Sequence, residues 1–412
     1  MQEKVEIMAP AGNFESLMAA IQAGADSVYF GVEHLNMRAK SANNFRLAEL
    51  KDVMDTLHNH GVKGYLAVNT IIYDHEINLM NMLLDKAKES GVDAIIASDI
   101  AVIMAARKRN LSVHASTQLN ISNIEAVKFY AQFCDTLVLA RELTLNQTKK
   151  ITQAIEKENI TGPSGEKIKI EIFAHGALCM AISGKCYLSL HEFNSSANRG
   201  ACLQTCRRPY IVFDKETGYE LEIDNEYIMS PKDLATIFFL DKVLDAGVSI
   251  LKIEGRARPP EYVKIVTQVY KQAVEAIQKG EYSQEKVEEW TQELKKVFNR
   301  GFWDGYYLGR RLGEWAKVHG SEATRKKVYV GPITNYFSKI GVAEVHVQSE
   351  PLSVGDEILI IGNKTGVIET TIKELREDDK NITTAEKKSK VSFPIKEKIR
   401  KNDKVYKWIK QG

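Results

Sequence analysis

The apolar positions of this chain fall in short blocks that alternate with amphipathic stretches from the first residues onward. Val5–Ala9 reads as a strand and Phe14–Ala23 as a helix. The pattern repeats as Ser27–Phe30 with Leu47–His60, Val62–Asn69 with His75–Ser90, and Ala94–Ala97 with Ile100–Arg109. It continues as Ser112–Ser116 with Asn123–Gln132, and Thr136–Ala140 with Leu145–Lys157. Strand Ile168–Phe173 is followed by a long loop and a helix over Lys232–Ala246; strand Ser249–Ile253 and helix Pro260–Lys279 close the series. Short apolar runs bounded by turn residues mark strands, and a 3.6-residue period marks helices. Gly24-Ala25-Asp26 and Gly91-Val92-Asp93, with Gly61-Val62 and Gly247-Val248, each end one helix and open the next strand. Eight strand–helix units predict a parallel (β/α)8 barrel of TIM type, an α/β fold. No G-x-G-x-x-G follows the first strand, as a doubly wound dinucleotide fold would require. Residues 210–228 predict a hairpin on the barrel rim, and Gln284–Val297 a further amphipathic helix.

The texture changes after Gly309-Arg310-Arg311. Residues 312–326 read as a polar linker. From Lys327 onward β-rich segments recur, at Val328–Ile333, Ile340–Val347, Glu357–Ile361, Val367–Ile372, Lys390–Phe393 and Lys404–Trp408. That spacing predicts a small β-barrel. The expected organisation is a barrel over 1–311, a linker over 312–326 and a small basic β-barrel domain over 327–412. Charge supports the division. The chain carries +2 in all, but residues 325–412 hold 18 Lys/Arg against 12 Asp/Glu. Within 385–410 ten basic residues face three acidic ones. A solvated surface is one meaning of such a run; a face for an anionic partner such as RNA is the other. No apolar run reaches the length of a membrane span, and the first residues lack the apolar core of a secretion signal. A reducing cytoplasm and no membrane are the expectation.

Four of the five cysteines crowd into 171–208: Cys179, Cys186, Cys202 and Cys206, spaced C-x6-C-x15-C-x3-C. Gly176, Gly184, Gly200, Asn194 and Asn198 surround them, which is the composition of a loop. Thiols so placed suggest a common ligand. An iron–sulfur cluster takes four thiolates from such a loop. Structural zinc usually takes paired C-x2–4-C knuckles, of which only Cys202–Cys206 is one. Disulfides suit secreted chains, and separate buried thiols remain the plainest alternative.

In a (β/α)8 barrel the chemistry sits at the C-terminal strand ends. Polar residues recur there. His114, Ser116 and Gln118 are spaced to share one face of the fifth strand, as are Lys252, Glu254 and Arg256 in the eighth. Asn69 ends the third strand, Arg141-Glu142 follow the sixth, and His175 leaves the seventh just before Cys179. Buried charges at these places need partners, either one another or a ligand. Glu254 with Arg256 or Lys252 is the expected internal pairing.

The cysteine stretch resembles the signature of the collagenase-like peptidases, family U32. The matching residues include Glu171, Phe173, His175-Gly176-Ala177, Cys179, Ser183-Gly184, Cys186, Ser189, Asn198, Gly200, Cys202 and Cys206-Arg207. Ala9-Pro10-Ala11-Gly12, Ser116-Thr117-Gln118, Ser230-Pro231-Lys232-Asp233, Lys252-Ile253-Glu254-Gly255-Arg256 and Asn299-Arg300-Gly301-Phe302 look like further blocks of it. The resemblance implies a [4Fe–4S] cluster on Cys179, Cys186, Cys202 and Cys206. It implies oxygen-independent hydroxylation of tRNA, ribosomal RNA or a ubiquinone precursor, with prephenate as hydroxyl donor, and in some members a paralogous partner subunit. The tRNA branch, forming 5-hydroxyuridine at the wobble position, is the expected one, because the basic C-terminal region suits RNA. His175, Glu254 and Arg256 are the catalytic candidates; Gln118, Arg141 and Asn69 are the substrate-binding ones. An arginine pair suits a dicarboxylate. The peptidase alternative would need a Cys179–His175 dyad, since neither H-E-x-x-H nor G-x-S-x-G occurs.

Overall fold

The computed structural model describes residues 4–40, 42–211, 213–218, 227–309, 314–318, 320–378 and 380–411. Residues 212 and 219–226 of the expected hairpin over 210–228, and part of the linker, lie outside these residues. Seven parallel strands follow in order: β1 (Glu6–Pro10), β2 (Ser27–Phe30), β3 (Lys63–Val68), β4 (Ala94–Ala97), β5 (Ser112–Ala115), β6 (Thr136–Val138) and β7 (Lys169–Ala177). Two further strands, β8 (Asp233–Ala235) and β9 (Ile250–Ile253), follow the cysteine loop. Each of β1–β7 pairs with its neighbour, and β9 lies between β7 and β1 and closes the circle. The eight parallel strands are thus a TIM-like barrel. Helices α1 (Phe14–Gln22), α2 (Leu50–His58), α3 (Ile77–Ser90), α4 (Ile100–Lys108), α5 (Ile124–Ala131) and α6 (Leu145–Glu158) alternate with the strands. Local chemistry sets their ends. Asn13, Asp99 and Asn123 cap the first turns of α1, α4 and α5 through side-chain oxygens, and Thr144 forms a capping box with Gln147. Gly91, at φ +77°, ends α3 in the left-handed conformation that the recurrent glycine spacing implies.

One expected helix is different. Lys232–Ala246 begins instead with β8, antiparallel to the end of β7, and a 3-10 turn over Thr236–Phe239. Only α8 (Leu240–Asp245) is α-helical, after the short α7 (Leu188–Phe193) within the cysteine loop. The cause is tertiary. The Thr236 N–H donates to the Tyr270 hydroxyl, and buried Asp233 lies 3.4 Å from Arg300 and 3.9 Å from Arg258. Helices α9 (Pro260–Gln278) and α10 (Gln284–Lys295) and strand β10 (Phe302–Trp303), parallel to β8, complete this part.

From Arg325 the chain is all β. The long β11 (Arg325–Phe337), β12 (Val342–His346), β13 (Leu352–Ser353), β14 (Glu357–Gly362) and β15 (Gly366–Thr371) come first. The short β16 (Leu375–Glu377), β17 (Lys380–Ile382) and β18 (Thr384–Ala385) precede β19 (Lys390–Pro394) and β20 (Lys404–Lys410). Eight of these form one antiparallel sheet, ordered β15-β14-β20-β11-β12-β19-β16-β17. Register shifts at Tyr329/Gly331 and Ile333/Asn335 bend β11, as bulges do. The sheet curls about its own core, to which Ile368 of β15 and Leu375 of β16, from its two ends, both contribute.

Its outer side docks on the barrel. Leu359, Ile361 and Val367 are buried with the barrel's own apolar residues. Gln22 of α1 donates to the Thr365 carbonyl at 2.8 Å and accepts from the Val367 N–H at 3.0 Å. Lys264 of α9 donates to the Val367 carbonyl, and Lys327 pairs with buried Glu261 at 2.8 Å. Fully burying a Leu or Val contributes about 1.5–3 kcal/mol, so this seam is a strong one. Leu359→Ala is expected to cost about 2–5 kcal/mol, read as a lower midpoint in urea unfolding; an unchanged midpoint would show that the seam carries little stability.

Candidate functional site at the barrel mouth

The barrel interior is half apolar and half charged. Met8, Tyr29, Tyr65, Ala94, Ile96 and Ile250 form its apolar part. Beside them Lys252 of β9 donates to Glu171 of β7 at 2.7 Å, with both side chains buried. His114 of β5 sits 3.5 Å from the other Glu171 oxygen. Burial pushes the Glu171 carboxyl up, but Lys252 and His114 outweigh it and hold it below its usual value. Lys252 also lies 4.5 Å from the Tyr29 ring centre.

Above this layer a cavity of about 190 Å³ opens at the C-terminal strand ends. Asn69 and Arg141 reach it from the loops after β3 and β6, Ser116 and Gln118 from the turn after β5, and Glu254 and Arg256 from the loop after β9. All four loop thiols, of Cys179, Cys186, Cys202 and Cys206, line its roof. Nine of the ten metal, catalytic and substrate-binding candidates therefore share one space, His175 being the tenth.

The roof is held by backbone contacts. Gly200 accepts from the Lys40 N–H and has φ +80°, and a Cβ there would meet the Asn36 carbonyl at 2.3 Å. Arg199 pairs with Glu76 and lies 4.1 Å over the Tyr73 ring. Arg207 donates to the Leu178 and Pro231 carbonyls and to Ser230. Burial pushes the Cys206 thiol up, and the charges of the other three cysteines add to that. Among the described residues no group of three or more His, Cys, Asp or Glu is gathered as for a single metal ion. The fifth cysteine, Cys134, is buried in the barrel wall, and burial pushes its thiol up to about 12.

The charge pairing differs from the expected one. Glu254 pairs with Arg38 at 3.1 Å, not with Arg256 or Lys252. Burial raises its carboxyl, but Arg38, Arg258 and Arg141 outweigh this and hold it low. Arg256 donates to Asn36 at 3.0 Å, and burial lowers its guanidinium to about 10. Arg141 lies 3.6 Å over the Phe173 ring and donates to the Ala177 carbonyl. Its Nε is buried without a hydrogen-bond partner among the described residues, and burial lowers its pKa too. Two guanidinium groups, buried at Arg256 and half-buried at Arg141, thus face the cavity without a direct carboxylate partner among the described residues. Asn69 approaches Ser116 and Gln118, at 3.4 Å each, and positions Met37 through the backbone. The period-two reading of the fifth strand stops at Ala115, because Thr117–Leu119 is a 3-10 turn.

His175 is the exception. Its ring is absent from the cavity wall and packs against Tyr262, Tyr270 and Phe302 at 5.5–6.1 Å between ring centres. A catalytic role in contact with the cavity, or a dyad with Cys179, does not fit that position. Sequence reasoning missed Arg38, Asn36 and Tyr29, which line or brace the mouth from the β2 region. Arg38 lies in a loop without periodicity, so only its match to Glu254 in space reveals it.

A barrel whose mouth is roofed by four thiols and lined by two arginines defines an α/β barrel protein with a loop-borne thiol site. The chain belongs to peptidase family U32, whose description matches residues 12–317. It is 57% identical to a protein of Porphyromonas gingivalis named collagenase, over 98% of each chain. It is 30% identical to a tRNA hydroxylation protein of Bacillus subtilis, over 92% of this chain and 88% of that one. It is 32% identical to the 23S rRNA 5-hydroxycytidine synthase of Escherichia coli, over 91% of this chain and 55% of that one.

Burial pushes His175 down to about 3 from 6.5, so it is neutral when folded. The unfolded chain takes up a proton below pH 6.5 that the folded one refuses, so this residue's share of stability is lost as pH falls from 6.5 toward 3. His175→Phe is expected to flatten that acid limb in denaturant titrations; an acid limb of wild-type steepness would show the histidine to be charged in the fold.

Proposed function

We propose that this protein is an iron–sulfur RNA hydroxylase. The observation that carries the reading is the shared cavity, where four thiols from one loop stand over two arginines that lack a carboxylate partner among the described residues. Relatives named for tRNA and ribosomal RNA hydroxylation support the reaction class. Cys179, Cys186, Cys202 and Cys206 would hold a [4Fe–4S] cluster, since an all-thiol set on a glycine-bearing loop suits iron–sulfur ligation. Such a cluster would supply redox or Lewis-acid chemistry when bound. The substrate proposed first is tRNA, at carbon 5 of the wobble uridine; a cytidine of ribosomal RNA is the alternative.

The residues of the chain have separable tasks in this reading. Arg141 and Arg256 fix an anionic co-substrate, with a dicarboxylate such as prephenate as the proposed hydroxyl donor, because guanidinium forks match carboxylates. Burial strengthens that attraction and keeps competing water out. Asn69 and Gln118 present amides that can read the edge of a base. Glu254, held ionised by Arg38, can accept a proton at the mouth. An exposed ring stands on the roof: Tyr187, between the cavity-lining Cys186 and Leu188, is 75% exposed. Splayed bases stack on such rings. A paralogous subunit is proposed as a partner that completes the assembly.

A hydrolase reading rests on the name of the Porphyromonas relative. Placing His175 outside the cavity removes the histidine that a Cys179 dyad would use.

Two outcomes are expected. Cys202→Ser and Cys206→Ser should lose most of the bound iron and acid-labile sulfide of protein purified without oxygen; full iron in both would remove them as ligands. Total tRNA and ribosomal RNA from cells lacking this gene and any paralogue should lose a hydroxylated pyrimidine nucleoside by mass spectrometry. The intact gene should restore it and the Cys202→Ser copy should not. Unchanged nucleosides, together with collagen cleavage by metal-free protein, would favour the hydrolase.

A further inference from the structure

A second opening lies where the C-terminal sheet meets the barrel. It has a volume of about 610 Å³ and runs between the starts of α1 and α9 and the turns after β14 and before β20. Five cations line it, Lys327, Lys364, Arg400, Lys401 and Lys404, against two carboxylates, Glu15 and Asp403. Asp403 is spent internally: it accepts from Thr365 at 2.6 Å and from the Arg400 N–H at 2.8 Å. Lys327 is paired with Glu261. Lys364, Lys401 and Lys404 are exposed and have no carboxylate partner among the described residues. Three free ammonium groups in one concave place attract anions more strongly than the same charges spread out.

The position matters as much as the charge. The groove and the thiol-roofed cavity open at the same end of the barrel, where strands end and helices begin. They share a wall. Arg256 lines the cavity, and Pro260, four residues on, lines the groove. On the other side Asn13 lines the groove, and a Cβ on the neighbouring Gly12 would meet the Arg256 carbonyl at 2.4 Å. A polyanion lying in the groove would therefore pass beside the cavity.

We infer that this seam is the track for the phosphate backbone of RNA, gripped by Lys364, Lys401 and Lys404, and that it leads a neighbouring nucleotide to the cavity. The inference rests on the RNA reading and adds where the strand runs. Phosphates would be read without regard to sequence, as backbone contacts are. The basic residues elsewhere on the sheet contribute only a general field.

The test uses the full chain and an end-labelled, unmodified tRNA transcript, with affinity measured by fluorescence anisotropy between about 50 and 200 mM salt. The groove variant is Lys364→Ala/Lys401→Ala/Lys404→Ala. Its control is Lys380→Ala/Lys387→Ala/Lys390→Ala, three exposed lysines of the same sheet outside the groove. The groove variant should bind at least roughly tenfold more weakly, and its log–log salt slope should flatten by about 2, as losing three contacts to single-stranded backbone implies. The control should stay within about twofold, because distant charges are screened at this salt. Equal weakening in both variants, or wild-type affinity in the groove variant, would overturn the track. A wild type that binds no RNA would overturn both the track and the RNA reading. Groove-dependent binding without any hydroxylated nucleoside in cells would leave the track standing and remove only the hydroxylation.

Discussion

The arrangement of the mouth depends on the compensation of one buried carboxylate. Glu171 is fully buried on β7, and Lys252 reaches it from β9, across the joint that closes the barrel. Taking two charges out of water is costly, and their attraction offsets the cost only when geometry is good. Removing one partner of such a pair typically costs about 3–5 kcal/mol. The pair therefore fixes the relative register of the two strands whose ends carry the thiol loop and the Glu254–Arg256 segment. It also takes the Lys252 charge out of play, so that the arginines above it are the cations left to meet a ligand.

That layering explains a division within the polar residues. Lys252 and Glu171 pair below the cavity, with His114 3.5 Å from the second Glu171 oxygen. Arg38 and Glu254 do so at its edge. Among the described residues Arg141 and Arg256 donate only to neutral acceptors, a carbonyl and an amide, and burial disfavours the charge of both. A protein keeps such groups where something else supplies the counter-charge.

The barrel was legible because its apolar blocks and helix-ending glycines recur, and Ser27–Phe30 and Ala94–Ala97 fall where the pattern places them. The segment after Ser230 was not, because its helix-like spacing yields to Tyr270 and to the arginines around Asp233, which are far away in sequence. The cysteine loop was legible as a site from crowding and composition alone. Pairing was less so. Period two puts Arg256 next to Glu254 on paper, but the strand ends at Ile253, and Arg38 arrives from a distant loop instead. His175 shows the opposite failure, since nearness to Cys179 in sequence says nothing about which side of β7 its ring takes. In the C-terminal region the longer strands were readable from alternation, whereas the two- and three-residue strands β13, β16, β17 and β18 carry too few residues to show a period.

The separation of Cys134 from the other cysteines has a practical consequence. Its sulfur is sealed in the barrel wall and its thiol is held protonated, so alkylating reagents meet it only when the chain unfolds. The remaining four thiols all belong to the roof. The number of cysteines that a reagent labels on the native protein would therefore gauge how fully the proposed cluster occupies the roof, with a fifth label reporting denaturation alone.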